Sequence, residues 1–291
     1  MSWRVVVISN RSKLDYKMNH LVVRNDDGEK RILLDDISVL VCETTAISIT
    51  AYLLAELVEH KIKVIFCDNK HNPSSELIPC RGSYDTSGKL RDQIAWSAAT
   101  KAKVWQKIIE AKIKNQADVL TDLGQLEKAE QLLSYAKEIE PGDPTNREGH
   151  AAKVYFNALF DDKFYRDMDD PRNAALDYGY TVLLSCFNRE IVASGYLTQL
   201  GIWHNSVENP FNLGSDLMES FRPIIDRHVA TTNLVTFDQD EKHAILNLLN
   251  QKVGITGSAQ YLNNAIGIYA RSVFTALSEN DETKILDWYE L

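Results

Sequence analysis

Apolar positions in the first third of the chain follow the pattern of short β-strands. Runs rich in Val and Ile are separated by polar turns such as NDDG at residues 25–28. Residues 48–59 change period and place Ile49, Leu53 and Leu57 at three- and four-residue spacing, which predicts one amphipathic helix. The predicted strands cover residues 3–8, 21–24, 32–34, 37–42 and 64–66.

The rest of the chain is patterned as helices. Residues 71–88 carry two Pro, two Gly and five Ser or Thr, a composition typical of a linker or loop. Helices are predicted at residues 94–114, 123–139, 148–160, 174–200, 213–229, 241–249 and 258–277. The predicted fold class is α+β and multidomain, with a small β-rich, sandwich-like domain at residues 1–74, a linker at 75–92 and a larger all-α domain at 93–291.

Composition places the chain among ordinary globular proteins. It has 291 residues, of which 44% are hydrophobic and 25% charged, and Lys+Arg 32 against Asp+Glu 41 gives a net charge of −9. This balance argues against a protein that coats nucleic acid through bulk positive charge. Apolar runs are too short for a membrane span or a signal peptide, so we expect a soluble cytoplasmic protein.

Charge is uneven along the chain, and residues 81–114 carry eight basic and three acidic side chains. One interpretation of this stretch is a solvated helix face. The other is a surface that contacts DNA phosphates through Lys101, Lys103 and Lys107, with Trp96 and Trp105 nearby as aromatic contacts. Composition alone leaves both interpretations open.

Common catalytic motifs are absent from the sequence, which contains no phosphate-binding G-x-x-x-x-G-K-[ST] loop, no G-x-S-x-G elbow and no H-E-x-x-H pair. An enzymatic site would therefore be assembled from dispersed acids and histidines. Glu148 follows Thr145 at the spacing of a helix capping box, which gives it a structural interpretation.

A second group of candidate residues follows His204, which is predicted at the end of a helix. Asp216, Glu219 and Arg222 recur at three-residue spacing, which predicts that they share one helical face. They form either an ion-pair network or a divalent-metal site. In the second case carboxylates and one neutral imidazole are ligands, and the arginine fixes their orientation.

Three segments in fixed order resemble one known family. They read DPTNREGHAAKVYFNALF, then NAALDYGYTVLLS, then LGIWHNS with NLGSDLMESFRP. Together they are similar to the signature segments of the CRISPR-associated adaptation integrase, the first-numbered CRISPR-associated protein. The N-terminal segments ISNRSKLDYKMNHLVV and KVIFCDNKHNP resemble its type II form, so the resemblance covers nearly the whole chain.

The resemblance implies a set of site residues. The family's catalytic metal ligands fall on Glu148, His204 and Glu219 of this sequence, and Asp216 and Arg222 match auxiliary positions. Two carboxylates and one imidazole suit Mg²⁺ or Mn²⁺. The resemblance thus gives Glu148 a ligand role that is compatible with a place at a helix start.

The resemblance also implies an activity and partners. The expected protein is a metal-dependent DNA integrase and endonuclease of CRISPR spacer acquisition, which joins 3′-hydroxyl ends of short foreign DNA to the CRISPR repeat by transesterification. It is expected to form a homodimer, to assemble with a small ferredoxin-like CRISPR adaptation subunit and to bind double-stranded DNA, with no membrane partner. The type II effector nuclease and an accessory adaptation protein are further candidate partners. The alternative function is a non-catalytic DNA-binding scaffold of the adaptation complex.

Overall fold

The computed structural model describes residues 4–79, 83, 85–160, 164–166 and 168–290, so residue 3 of the first predicted strand, part of the predicted linker and residue 291 lie outside the described residues. Its N-terminal part contains two four-stranded sheets, with strand orders β1-β5-β7-β8 and β4-β3-β2-β6. One helix, α1 (Ala51–Glu59), accompanies them. The strands are β1 (Arg4–Ile8), β2 (Ser12–Lys17), β3 (His20–Asn25), β4 (Gly28–Leu33), β5 (Ile37–Cys42), β6 (Ile47–Ile49), β7 (Lys63–Cys67) and β8 (Pro73–Glu76).

Strand β5 connects the two parts of the molecule. It runs parallel to β1 and β7, and all six of its residues are buried, as the run ISVLVC, apolar except for the small Ser38, predicts for a strand covered on both faces. Leu40 and Cys42 belong to the core of the β-rich part, whereas Val39 and Val41 belong to the large core of the helical part. The β-rich part therefore packs directly on the helices.

Three strands of the N-terminal part, β2, β6 and β8, were not predicted. Their sequences are polar or short, and in β2 the apolar signal is reduced to Leu14, which is fully buried. Strand β6 also includes the first two residues of the predicted helix at 48–59. Helix α1 begins after Thr50, whose hydroxyl accepts a hydrogen bond from the backbone N–H of Leu53 at 3.3 Å.

The rest of the described chain is mainly helical. Helix α6 is the centre of this part, because it packs against α7, α8, α9 and α10 and is buried along most of its length. A short 3₁₀ helix, Glu219–Phe221, joins α7 to α8. The helices are α2 (Thr86–Ala95), α3 (Ala98–Asp122), α4 (Leu126–Lys137), α5 (Arg147–Leu159), α6 (Pro171–Ala193), α7 (Asn212–Met218), α8 (Arg222–Thr231), α9 (Gln239–Asn247) and α10 (Leu262–Glu279).

The C-terminal part is not all-α, which corrects the prediction. An antiparallel three-stranded sheet in the order β10-β9-β11 contains β9 (Lys252–Ile255), β10 (Ser258–Tyr261) and β11 (Trp288–Glu290). The predicted helix at 258–277 therefore begins only at α10. Thr256 and Gly257 both have positive φ, 54° and 70°, as a two-residue hairpin turn of type I′ requires.

Three other helix predictions are divided or shortened in the structure, and the segment 213–229 is divided into α7, the 3₁₀ helix and α8. The segment 94–114 is divided between α2 and α3, because Ser97 caps α3 by accepting a hydrogen bond from the N–H of Thr100 at 3.0 Å. Helix α6 ends at Ala193, and Gly195 has a φ of +87°, which favours glycine and ends the helix. His204 consequently lies in a loop and not at a helix end. Within the described residues, none of the helices is long and apolar enough to span a bilayer.

Candidate functional site

Asp216 organises the loop that carries His204. Its carboxylate is completely buried at the centre of α7. It accepts hydrogen bonds from the backbone N–H groups of Ile202, Trp203 and His204 at 2.5, 3.1 and 3.0 Å. It also lies 2.6 Å from Nδ1 of His204. Because an ionised carboxylate only accepts, Nδ1 carries the hydrogen and Nε2 is the acceptor atom of the ring.

Two tryptophans pack around this imidazole. Trp105 meets the ring of His204 edge-on, with centroids 5.6 Å apart, and Trp203 stacks on Trp105 at 5.7 Å. Trp105 is fully buried, and Trp96 is buried against Tyr196. Trp96 and Trp105 are therefore core residues, and the interpretation that used them as aromatic contacts for DNA is wrong for both.

Glu148 lies in the first turn of α5, where the side chains of other residues accept the hydrogen bonds of the free backbone N–H groups. The carboxylate of Asp143 accepts hydrogen bonds from the first two N–H groups of the helix at 2.8 and 2.9 Å, and Asn146 is the N-cap. The capping-box interpretation of Thr145 and Glu148 is therefore wrong. The carboxylate of Glu148 instead accepts a hydrogen bond from Nζ of Lys112 at 2.6 Å.

Glu219 provides the second carboxylate, from the 3₁₀ helix between α7 and α8. Its side chain is buried and lies 2.6 Å from Nζ of Lys112 and 2.9 Å from Nη2 of Arg222. Burial alone would raise the pKa of Glu219, but the two neighbouring cations outweigh it and hold the pKa below its ordinary value. Glu219 is thus an ionised carboxylate in a dry environment.

Lys112, which was not among the predicted site residues, brings these residues together. It lies on the buried face of α3 and contacts the carboxylates of both Glu148 and Glu219. Burial opposes its charge, but the two carboxylates outweigh that effect and raise the pKa of Lys112. The pKa of His204 is raised first by its hydrogen bond to Asp216 and further by Glu219 and Glu148. The predicted ligands therefore share one electrostatic environment.

The 3₁₀ helix that carries Glu219 is held in place by contacts of its other two residues, Ser220 and Phe221. Phe221 stacks on Trp288 with centroids 4.2 Å apart and planes inclined by 18°. The indole N–H of Trp288 donates to Oγ of Ser220 at 3.5 Å, and the amide of Asn115 donates to the carbonyl of Ser220 at 2.9 Å. Residues from α3 and β11 thus hold the position of Glu219.

A buried acid lies beneath the site. Arg222 stacks over the ring of Tyr180 at 4.7 Å, and the hydroxyl of Tyr180 donates to the carboxylate of Asp226. Burial raises the pKa of Asp226 to about 6, despite the opposing effects of its hydrogen bonds and of Arg222. The folded state therefore favours the protonated acid more than the unfolded chain does.

The lysines predicted to bind DNA lie along α3 beside the site. Nζ of Lys101 donates to the carbonyl of Gly201 at 3.1 Å, in the loop that also carries His204. Lys103 and Lys107 are about half-exposed, and each lies near a carboxylate of the chain, at 3.7 and 3.2 Å. Their contact with DNA remains a prediction.

Within the described part of the chain, no three His, Cys, Asp or Glu side chains are already arranged as a metal-binding group. At this site the ammonium of Lys112 lies between the two carboxylates. The arrangement nevertheless gathers two anionic oxygen donors around one cation, beside an imidazole whose Nδ1 faces Asp216.

A family model for CRISPR associated protein Cas1 matches residues 5–252, which include every site residue named in the sequence analysis. The chain belongs to the Cas1 family. The CRISPR-associated endonuclease Cas1 of Neisseria meningitidis is 37% identical over 226 residues, which cover 78% of this chain and 74% of the relative. A Cas1 endonuclease of Francisella tularensis subsp. novicida is 27% identical over 239 residues, with 74% of each chain covered. The family predicted from the three segments is confirmed.

Solved structures show the same Cas1 fold. A casposase bound to integration product superposes with a TM-score of 0.76 at 20% identity, covering 98% of this chain and 94% of the casposase. A Cas1 protein from Thermotoga maritima gives a TM-score of 0.74 at 17% identity, with coverages of 94% and 97%. A chain of a Cas6-RT-Cas1–Cas2 complex gives 0.71 at 19% identity, with 99% of this chain and 36% of that chain covered. The predicted order of a β-rich part followed by a mainly helical part is confirmed.

Proposed function

We propose that this Cas1 protein is a metal-dependent DNA integrase and endonuclease of CRISPR spacer acquisition. The observation that carries the proposal is that Glu148 and Glu219 meet around one cation, at 2.6 Å each, beside an imidazole oriented by Asp216. Its relatives are CRISPR-associated endonucleases, and one protein of the same fold is a casposase bound to integration product. Both support DNA strand chemistry as the reaction class.

Mg²⁺ or Mn²⁺ is the proposed cofactor, and the donors present fit such an ion. Nζ of Lys112 lies 2.6 Å from one oxygen of each carboxylate, which shows that Glu148 and Glu219 accept a cation between them. Glu148, Glu219 and Nε2 of His204 would hold the metal, since oxygen donors with one imidazole suit Mg²⁺ and Mn²⁺. A bound ion would polarise the scissile phosphodiester and stabilise the charge that develops on it.

The proposed reaction is a transesterification. A 3′-hydroxyl of a foreign DNA fragment attacks a phosphorus atom at the edge of the CRISPR repeat, and the bond from that phosphorus to the repeat's own 3′ oxygen breaks. One phosphodiester replaces another, the attacking hydroxyl loses its proton and the leaving oxygen gains one. Water in place of the hydroxyl gives endonuclease cleavage. Asp216 and Arg222 contribute by fixing the orientations of His204 and Glu219.

Double-stranded DNA is the proposed substrate, and it requires more than one chain to bind it. A net charge of −9 makes an isolated copy a poor electrostatic match for DNA. We therefore propose a composite surface made by a homodimer and a small Cas2-type adaptation subunit, to which Lys101, Lys103 and Lys107 contribute. Two structures of similar fold are Cas6-RT-Cas1–Cas2 complexes, which supports this assembly.

The test is strand transfer of a short duplex with 3′-hydroxyl ends into a plasmid that contains a CRISPR repeat. The adaptation subunit is present, and Mg²⁺, Mn²⁺ or EDTA is added to the wild type and to the His204→Ala variant. The matched control is His150→Ala, which removes an exposed histidine of α5 close in sequence to Glu148.

Joined product that needs both metal and His204, with the control active, is the expected result. Joining that persists in His204→Ala would show that the site is assigned wrongly. DNA binding without product under every metal condition would favour the alternative function, a non-catalytic DNA-binding scaffold.

A further inference from the structure

Lys112 lies on the buried face of α3, where an apolar residue would be expected. The inward face of α3 is otherwise formed by side chains such as Trp105, Ile108, Ile109 and Ile113, all fully buried. Lysine is rarely buried unless it is paired, because removing an ammonium from water is strongly unfavourable. Here both partners of the ammonium are carboxylates that the proposed function assigns to the metal.

A metal ion cannot bridge the two carboxylate oxygens that Lys112 contacts while the ammonium lies between them. Nζ of Lys112 lies 2.6 Å from an oxygen of Glu148 and 2.6 Å from an oxygen of Glu219. A Mg²⁺ or Mn²⁺ ion binds carboxylate oxygens at about 2.1 Å and would have to occupy nearly the same point. Like charges a few ångströms apart repel strongly where water is excluded, as it is beside Glu219.

We propose that Lys112 sets the affinity of the centre for divalent cations by competing for the carboxylates of Glu148 and Glu219. Metal binding then requires the ammonium to withdraw from between the two carboxylates. A lysine suits this exchange because its charge lies at the end of a flexible four-carbon chain. The inference rests on the proposed metal centre, and it makes Lys112 a positioning residue and not a ligand.

Two opposite effects follow for the protein without and with metal. Without a divalent cation, Lys112 neutralises carboxylates that would otherwise repel each other in a buried place. With the cation, the same lysine opposes binding. Removal of its charge should therefore lower stability in a chelator and strengthen metal binding, a combination that a purely structural lysine does not give.

The experiment uses the full chain and Mn²⁺ as the probe. The Kd for Mn²⁺ is measured by calorimetry and by the electron paramagnetic resonance signal of the free ion, for the wild type, Lys112→Met and the charge-retaining Lys112→Arg. Lys114→Met is the matched control, since Lys114 lies on the same helix, is half-exposed and pairs with a different carboxylate, that of Glu110. Thermal unfolding midpoints are recorded in EDTA and in Mn²⁺.

We expect Lys112→Met to bind Mn²⁺ about tenfold more tightly or better, because loss of one nearby positive charge removes a repulsion worth at least that factor. Its midpoint should fall in EDTA and rise further on addition of Mn²⁺ than that of the wild type. Lys112→Arg and Lys114→Met should keep the wild-type affinity. If Lys112→Met does not fold, Lys112→Gln, whose amide keeps a donor without the charge, should show the same tightening.

Different results would refute the competition by Lys112 and the proposed metal centre. Wild type that binds Mn²⁺ while the neutral Lys112 variants bind it equally or more weakly would refute the competition and leave the metal centre standing. Wild type and all variants without measurable Mn²⁺ binding would refute the metal centre and the competition together.

Discussion

Replacement of Asp216 by asparagine tests whether this side chain holds the loop of His204. Oδ1 of Asp216 is within hydrogen-bond distance of the backbone and ring nitrogens of His204, and Oδ2 accepts from the N–H groups of Ile202 and Trp203. Asparagine keeps one of these oxygens and presents an NH₂ group to the other pair of donors. Two hydrogen bonds to a charged group, each contributing about 1.5–3 kcal/mol, are then lost. We expect the free energy of unfolding to fall by about 3 kcal/mol or more.

His204→Ala is the informative comparison for this variant. It removes one of the four hydrogen bonds of Asp216, and the imidazole is 41% exposed, so we expect a loss of only about 1 kcal/mol. Asp118→Asn, on the exposed face of α3, serves as the control and should change stability by less than about 0.5 kcal/mol. Urea unfolding followed by tryptophan fluorescence reports the region directly, because Trp105 packs against His204.

Unfolding of Asp216→Asn and His204→Ala at the same urea concentration, with the same dependence on urea, would contradict this role of Asp216. In that case the backbone hydrogen bonds of the loop would contribute nothing measurable, and Asp216 would act only on the imidazole.

The remaining predictions concern the reaction, the buried acid and helix packing. Glu219→Gln should reduce strand transfer at least about 100-fold in the plasmid assay, and near-wild-type joining would remove Glu219 from the site. Folding raises the pKa of Asp226 from 3.8 to about 6, so ionisation of this acid destabilises the folded state as pH rises through that interval. The free energy of unfolding of Asp226→Asn, measured in urea, should therefore increase by about 2 kcal/mol relative to wild type between about pH 4.5 and pH 7.5. A pH-independent difference would contradict the raised pKa. Gly179→Ala places a methyl group 2.4 Å from Cγ2 of Ile225, between α6 and α8, and should lower the free energy of unfolding by about 1–3 kcal/mol. An unchanged thermal unfolding midpoint would show that these two helices are not tightly packed at this point.

Helices and strands with a continuous or periodic pattern of apolar residues were predicted closely. Strand β5 was predicted with its exact bounds, because burial on both faces requires six consecutive apolar or small residues. Strand β2 was missed because only one face is buried and Leu14 carries most of the signal. The hairpin of β9 and β10 was missed because four-residue strands are too short to show alternation, and its two-residue turn depends on φ angles that the sequence does not display.

The candidate site could be located from sequence only where its residues lie in distinctive segments. Those segments pointed to Glu148, His204 and Glu219. The three-residue spacing predicted that Asp216 would share a helical face with Glu219 and Arg222. It could not show that Asp216 instead accepts hydrogen bonds from the preceding loop. That contact joins residues twelve to fourteen positions apart and depends on the tertiary fold.

Lys112 was counted in a basic stretch, although its position carried a usable signal. It follows Ile108 by four residues and precedes Ile113, so the helical period places it on the apolar face. The same period places Trp105 on that face, which is why it is buried and not a surface contact. The net charge of a stretch does not say in which direction each side chain points.

The stacking of Trp288 on Phe221 has a consequence for the order in which the proposed site is completed. All three proposed ligands have been synthesised by residue 219, but the ring that supports Glu219 from behind enters the chain only at residue 288. A nascent or proteolytically shortened chain that stops before this tryptophan contains all three proposed ligands, but the turn that carries Glu219 then keeps the support of Asn115 and lacks that of Trp288. We therefore expect Glu219 to be held in its observed position only after β11 has been added to the fold.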